Sequence, residues 1–367
     1  MRLISVALRD FRSYASASAA FGEGLTVITG VNGAGKTNLL EAVYFGCTGR
    51  SCRTANDREL VGFGASATRV LVRLAAEDGA HELAVGFAPG EPKRLRVDGA
   101  GVERLIDVPI RPLLSVFLPD RLELVKGAPA LRRAHLDQLA AALWPARRQL
   151  PRRYAQALAQ RNALLARVRL GGPGRDALDS WDEQLARCGL ELMRQREAAV
   201  AAVAVRAGEI ASQLGLSGPL SVRYRPRSRA REVAELRAEL RERLEQDIER
   251  GFTAHGPHRD ELALLLAGRE ARVYASQGQQ RLALLALLLA EREAIAERRP
   301  SPPVLLLDDV MSELDEARRR ALIELVCQRS GQAIITATEL DQVPAAAELG
   351  AVHLVVEDGV VRETVLT

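Results

Sequence analysis

Apolar and polar residues alternate along 2–8 (RLISVAL), which predicts a half-buried strand. Residues 25–29 (LTVIT) form a short apolar run stopped by Gly30, the pattern of a strand running into a loop. From Lys36 to Cys47 the apolar positions recur at helical spacing, and strand-like runs follow at 69–75, 82–87, 94–97 and 113–118. The style changes near residue 128. Segments 129–169 and 179–213 are rich in Ala, Leu and Arg at helical spacing; GGPG at 171–174 separates them, and Trp144-Pro145 and Pro151 interrupt the first. In 221–229 (SVRYRPRSR) Arg alternates with other residues, which suits an extended chain, and 231–250 predicts a charged helix. After Gly251 the strand style returns. It predicts a hairpin of 260–266 and 270–274 around Ala267-Gly268, a very apolar helix at 278–297, a strand at 304–308, a helix at 315–329, and strands at 332–336 and 351–355.

The simplest organisation is an α/β fold made from both chain ends with a mainly helical insertion. The expected boundaries are 1–125 and 246–367 for the α/β head and 126–245 for the insertion. The longest strongly apolar run, Leu282 to Ala290, has nine residues, against the ~20 needed to span a bilayer. The N-terminus carries charges throughout and has no apolar leader core, so a cytoplasmic protein is expected, with no membrane partner. Cys47, Cys52, Cys188 and Cys327 form no CxxC pair, which excludes a disulfide or zinc framework. The net charge of +4 conceals a segregation: 121–169 holds ten Arg and one Lys against Glu123 and Asp137. A basic zone on an otherwise acidic chain points to a polyanion.

The sharpest chemistry is Gly30-Val31-Asn32-Gly33-Ala34-Gly35-Lys36-Thr37, which fits GxxxxGK[ST] between a predicted strand and a predicted helix, with Asn38 following. Glycines let the backbone curl so that its N–H groups face phosphate oxygens, and the helix N-terminus adds positive potential. Lys36 is expected on the β- and γ-phosphates of ATP, and the Thr37 hydroxyl on Mg²⁺. In a chain with three lysines in all, a chance match is rare. The second element is Pro303 to Asp309 (PVLLLDD), an aliphatic strand ending in two carboxylates. Asp308 is expected to hold Mg²⁺, and Asp309 to orient or deprotonate the attacking water. A helix N-cap is the bland alternative, and Ser312 or Asp315 can supply that instead.

Ser276-Gln277-Gly278-Gln279-Gln280 opens the apolar helix. In order after a phosphate loop and before a carboxylate strand, it resembles the signature motif of ABC-type ATPases. That resemblance implies that Ser276, Gly278 and Gln279 bind the γ-phosphate held by a second subunit, with Ser312 to Asp315 as the loop crossing the same interface. Lys36 and Asp308 lie 272 residues apart, too far for a compact transport ATPase. The split resembles chromosome-maintenance and recombination ATPases instead.

Further blocks narrow the likeness: Asp10 to Tyr14 (DFRSY), Gly30 to Glu41, Arg50 to Arg53 (RSCR), Leu118 to Gly127 (LPDRLELVKG), Gly256 to Asp260 (GPHRD), Ala275 to Arg281 (ASQGQQR) and Leu305 to Asp315 (LLLDDVMSELD). Together they resemble the RecF family of bacterial recombination mediators over the full length. The resemblance implies a weak DNA-stimulated ATPase that forms an ATP-dependent homodimer and binds duplex DNA, at a gap or junction. It also implies RecR and RecO as partners in loading RecA, in repair, replication restart and the SOS response. By the same resemblance Arg12 reaches the ATP phosphates, and Arg50 and Arg53 line the nucleotide site. The alternative is an ABC-type ATPase subunit of another DNA-processing or transport complex. Departures are Asp260-Glu261 where the family block usually ends Asp-Asp, Asp120 near the glutamine-loop position, and Thr336-Ala337-Thr338 where transporters keep a switch histidine.

Two features stay open at this level. Arg132, Arg133, Arg147, Arg148, Arg152, Arg153, Arg161, Arg167 and Arg169 either track a phosphate backbone or form a solvated helix face. His255 and His258 make an HxxH that lacks a third ligand and a helical frame, so a loop role is favoured over a metal site.

Overall fold

The computed structural model describes residues 1–118, 122–328 and 331–364, so Asp120 lies outside the described residues. The chain divides into two compact units, 1–121 with 295–367, and 122–294. Residues 246–294, expected with the head, pack in the second unit.

The first unit joins both chain ends. β1 (Arg2–Phe11), β2 (Tyr14–Ala20), β3 (Leu25–Thr29), α1 (Lys36–Thr48), β4 (Thr68–Ala76), β5 (Gly79–Phe87), β6 (Arg94–Val97), β7 (Ala100–Gly101) and β8 (Leu114–Phe117) come from the N-terminal part. They build an antiparallel sheet of order β2-β1-β4-β5-β6-β7 and two strands of a second sheet. The second sheet is completed by β12 (Val304–Leu307), β13 (Ala333–Ala337), β14 (Val352–Glu357) and β15 (Val360–Thr364), with α10 (Glu316–Cys327) as the crossover between β12 and β13. Its order is β15-β14-β3-β13-β12-β8, and β14, β3, β13, β12 and β8 run parallel. Every residue of β3, β12 and β13 is buried, as expected for parallel strands covered on both faces.

α1 lies in the core between the two sheets. Leu39, Val43 and Phe45 share one apolar cluster with Val6, Val70, Val72 and Leu83 of the antiparallel sheet and with Ile28, Leu306 and Ile334 of the parallel one. The helix approaches so closely that a Cβ at Gly46 would stand 2.4 Å from Val72 Cγ2. Burial in this core pushes the Cys47 thiol up to about 12, which leaves it inert.

The second unit contains α2 (Glu123–Lys126), α3 (Pro129–Leu143), α4 (Leu150–Arg169), α5 (Leu178–Gln213), β9 (Leu220–Arg225), α6 (Val233–Glu242), α7 (Leu244–Arg250), β10 (Glu261–Leu266), β11 (Arg269–Glu270), α8 (Ala271–Tyr274) and most of α9 (Gln277–Ala296). β9, β10 and β11 form a small antiparallel sheet. Pro151 starts α4 rather than breaking it, because the first helical turn needs no N–H from that residue. The expected helix 231–250 is two helices meeting at Arg243, and most of the expected strand 270–274 is helical. β2 and β15 carry too little apolar alternation to be read from sequence. Among the described residues no helix is long and apolar enough to cross a membrane.

Candidate functional site

The phosphate loop runs from the end of β3 into α1. Gly30 and Gly35 have φ of 153° and 115°. At Gly30 a Cβ would meet the Val356 carbonyl oxygen at 2.3 Å, and at Gly35 it would meet the Tyr14 hydroxyl at 2.9 Å, so neither position tolerates a side chain. Tyr14 is buried and donates its hydroxyl to the Gly35 carbonyl (2.9 Å), which props the loop from beneath. Val31, Asn32 and Gly33 form the exposed outer curve, and Ala34 is half-buried.

Lys36 folds back over its own loop, donating to the carbonyls of Gly30 (2.6 Å) and Val31 (3.1 Å). Burial lowers its pKa, and the charges of Asp309 and Asp308 oppose that shift. The Thr37 hydroxyl donates to both oxygens of Asp308 at 2.8 and 3.0 Å. Asp308, at the tip of β12, also accepts from the Thr336 hydroxyl at 2.8 Å. Burial raises the Asp308 pKa, and the two hydroxyls counter it. Next in the chain, Asp309 has φ 47°, a left-handed conformation costing roughly 1–2 kcal/mol in a non-glycine residue. Its backbone N–H donates to Thr336 Oγ1 (2.9 Å), while its Oδ1 is buried with no hydrogen-bond partner. Thr336 therefore positions both carboxylate residues; the sequence marked it only as the place where a switch histidine is missing.

A second group flanks the loop. Arg12, held at φ 53°, makes a bidentate pair with Glu41 of α1 through 2.9 Å bonds from Nε and Nη2. Arg53 also reaches Glu41 (3.4 Å) and donates to Asn38 Oδ1 (3.1 Å), and Asn38 donates to Ser13 Oγ (2.9 Å). Arg12, Asn38 and Arg53 thus share one polar network with the phosphate-loop helix. Glu41 is its fully buried centre, and sequence reasoning gave it no role. Arg50 is exposed beside the network.

The signature residues belong to the second unit. Ser276 caps α9: the Gln279 N–H donates to Ser276 Oγ (3.3 Å), and the Ser276 N–H to Gln279 Oε1 (2.9 Å). Gln279 also donates to Ser217 Oγ (3.1 Å). Ser276, Gln277 and Gly278 are exposed, and the space around Gly278 is open. Val273 and Tyr274, just before them, are 62% and 67% exposed.

The GPHRD block is a buried polar knot. Arg196 pairs bidentately with Asp137 (2.7 and 3.0 Å) and donates to the Pro257 carbonyl (2.7 Å) and Asp260 (3.3 Å). Asp260 also accepts from the Tyr224 hydroxyl and the Arg227 N–H. His258 bonds Tyr154 Oη (2.7 Å) and the Thr253 carbonyl (3.0 Å), and burial lowers its pKa to about 4. Both His258 nitrogens are engaged, and His255 Nε2 bonds Glu239 (2.5 Å), so each ring is tied into the fold. No cluster of three or more His, Cys, Asp or Glu side chains suited to a metal occurs among the described residues.

The arginine zone divides. Arg132 is buried on Glu261 (2.6 Å) and Arg161 on Asp182 (2.6 Å) and Asp247 (2.7 Å), which corrects their reading as surface groups. Arg133 donates to the Asp260 carbonyl. Arg147, Arg148, Arg152, Arg153, Arg167 and Arg169 are exposed.

A glycine-framed phosphate loop after a buried parallel strand, faced by a strand-end carboxylate pair, defines a P-loop ATPase head. A family model described as an AAA domain matches residues 5–87. The fold is similar to an Smc head domain derived from Pyrococcus furiosus, at TM-score 0.61 and 18% identity over 100% of this chain and 96% of that one. It is similar to the recombination mediator protein RecF with ATP at TM-score 0.85 and 29% identity, covering 99% and 97% of the two chains. In sequence it is 42% identical to the DNA replication and repair protein RecF of Anaeromyxobacter sp. (strain Fw109-5), over 98% of this chain and 99% of that one. Identity to the RecF of Heliobacterium modesticaldum is 37%, over 93% of each. The chain belongs to the RecF family.

Proposed function

We propose that this chain is an ATP-dependent recombination mediator that binds duplex DNA, dimerises on ATP and hydrolyses it slowly. With RecR and RecO as partners it would assist RecA loading at gaps, and so serve repair, replication restart and the SOS response. The observation that carries the reading is the cluster of Lys36, Thr37, Asp308 and Asp309 around the phosphate loop, with one buried Asp309 oxygen left unpartnered. Among the described residues of the first unit Asp309 Oδ1 is the one buried side-chain polar atom without a partner, and it lies beside Lys36 and Asp308 at the phosphate loop.

The loop N–H groups and Lys36 bind the β- and γ-phosphates, Lys36 exchanging its two carbonyl partners for phosphate oxygens. Thr37 and Asp308 suit a divalent cation: a hydroxyl and a carboxylate already converge, and nucleotide oxygens and water complete the ligand set. Bound there, Mg²⁺ would neutralise charge developing on the phosphates. Thr336 fixes the Asp308 carboxylate and the Asp309 backbone. Asp309 orients the attacking water and accepts its proton. Its side chain is one methylene shorter than the Glu of fast ABC motors, which supports a slow timer. Arg12 and Arg53 supply charge beside the loop once released from Glu41. The exposed Ser276 hydroxyl, Gly278 N–H and Gln279 cap the γ-phosphate of a second copy, which makes ATP the adhesive of the dimer.

Light scattering of the purified protein with ATP and a duplex of about 30 base pairs tests this, beside Ser276→Arg. Wild type is expected to become a dimer and bind duplex, while the variant binds ATP and stays monomeric. A wild type that stays monomeric with both ligands overturns the composite site.

A further inference from the structure

We propose that the solvent face of the antiparallel sheet in the first unit is a docking surface for the phosphate backbone of duplex DNA. This rests on the duplex-binding reading above and locates the contact. Strand register fixes which side chains share that face. Arg9 of β1 stands opposite Arg69 of β4, Arg69 opposite Gly86 of β5, and Gly86 opposite Arg94 of β6. One row further, Ala84 of β5 stands opposite Arg96 of β6. The opposite face is the core, with Leu8, Val70 and Val85 in register and fully or nearly buried.

The result is two arginine banks across a floor of small residues. Arg9 and Arg69 form one bank, and Arg94 and Arg96 the other; Gly86 and Ala84 leave a trough of about 620 Å³ whose lining includes Arg69, Arg94 and Arg96. Strands are spaced about 4.8 Å, so the banks stand roughly 10 Å apart. That is close to the ~12 Å width of a duplex major groove, so each bank can take one of the bordering phosphate ridges. On the neighbouring strand, Ser16 continues the Arg9 row and Ser18 the next, adding hydroxyl donors. No amide side chain lies on the floor to read a base edge, which fits backbone contact without sequence choice.

Energetics separate this face from an ordinary solvated surface. Like charges directly opposite one another on a sheet are destabilising, and Arg9 against Arg69 is such a pair. Acids on this face are few: Glu91 pairs with Arg94 (2.8 Å), and Glu82 pairs with Arg73 (3.6 Å) at the edge. The side chains of Arg9, Arg69 and Arg96 have no carboxylate or carbonyl partner among the described residues. In the same chain Arg12, Arg132, Arg161 and Arg196 are all committed to carboxylates. Three of the four arginines are exposed and unpaired, and Arg9 and Arg69 repel one another across the strands, which fits a polyanion better than it fits the fold.

The rival surface is the exposed arginine set of α4. Fluorescence anisotropy with a labelled duplex of about 30 base pairs, in the presence of ATP and from 50 to 200 mM salt, decides between them. The variant Arg9→Gln/Arg69→Gln/Arg94→Gln/Arg96→Gln is compared with Arg152→Gln/Arg153→Gln/Arg167→Gln. The sheet variant is expected to lose affinity about 10²-fold and to lower the salt slope by about three to four. Its ATP affinity should be unchanged and its melting temperature unchanged or higher. The milder Arg69→Gln/Arg96→Gln should lower the slope by about two. Wild-type affinity and slope in both sheet variants, whether or not the α4 variant loses binding, overturns the surface and leaves the duplex reading standing. A wild type that binds no duplex with ATP overturns both.

Discussion

The phosphate-loop cluster and the GPHRD knot are both buried polar assemblies built from motif residues, yet they differ in how their bonding capacity is used. In the knot, Arg196 meets Asp137, Asp260 and a carbonyl, and Asp260 is further filled by Tyr224 and Arg227. In the loop, Lys36 rests on its own backbone and an Asp309 oxygen has nothing. A saturated network holds a shape, whereas spare capacity beside a phosphate loop leaves room for a ligand. Motif strength does not separate the two, because GPHRD is the more family-specific string and the loop the more widely shared one. What separates them is spare valence.

That contrast can be broken at either end. The largest effect is expected from Arg196→Ala, which strands two carboxylates beneath the surface. It should destabilise the protein by about 3–5 kcal/mol in urea unfolding, while Arg196→Lys restores only part. A loss under 1 kcal/mol would show that the knot is not structural. Next is Lys36→Ala, expected to lower ATPase kcat/KM by about 10²–10³-fold with no loss of melting temperature. A folding defect of similar size to that of Arg196→Ala would erase the distinction.

Smaller, and dependent on pH, is the contribution of His258. Its folded pKa near 4 lies below the ordinary 6.5, so the unfolded chain takes up the proton first. Stability is full above 6.5 and falls as pH drops toward 4, by roughly 2 kcal/mol between pH 7 and pH 5. His258→Gln should flatten that part of the unfolding profile. An unchanged slope would mean that the ring is not what titrates.

The loop, the carboxylate strand and their order were legible because each lies within a short stretch of chain. Strand β12 is four aliphatics followed by two acids, and no partner is needed to read it. Thr336, Glu41 and Tyr14 were not legible in their roles, since what they hold lies elsewhere: Arg12 and Glu41 are 29 residues apart, and Thr37 and Asp308 are 271 apart. Arg132 and Arg161 misled for the same reason. Their helices, α3 and α4, carry an Arg-rich pattern, but burial is decided by Glu261, Asp182 and Asp247 from other elements. The arginines of β1, β4 and β6 were invisible as a group, because register across strands, not spacing along the chain, sets them side by side.

The parallel sheet has a consequence for synthesis. β3, which launches the phosphate loop, is flanked by β13 and β14, whose residues leave the ribosome about 300 positions later. At ~5–20 residues per second that interval is on the order of 15–60 s. The antiparallel sheet needs only the first 101 residues and can form early. The nucleotide cradle, by contrast, must wait with an unpaired apolar strand until β13 and β14 have been made. A nascent chain of this design carries an adhesive strand edge from the emergence of β3 until β13 and β14 follow, an exposure that its finished form does not reveal.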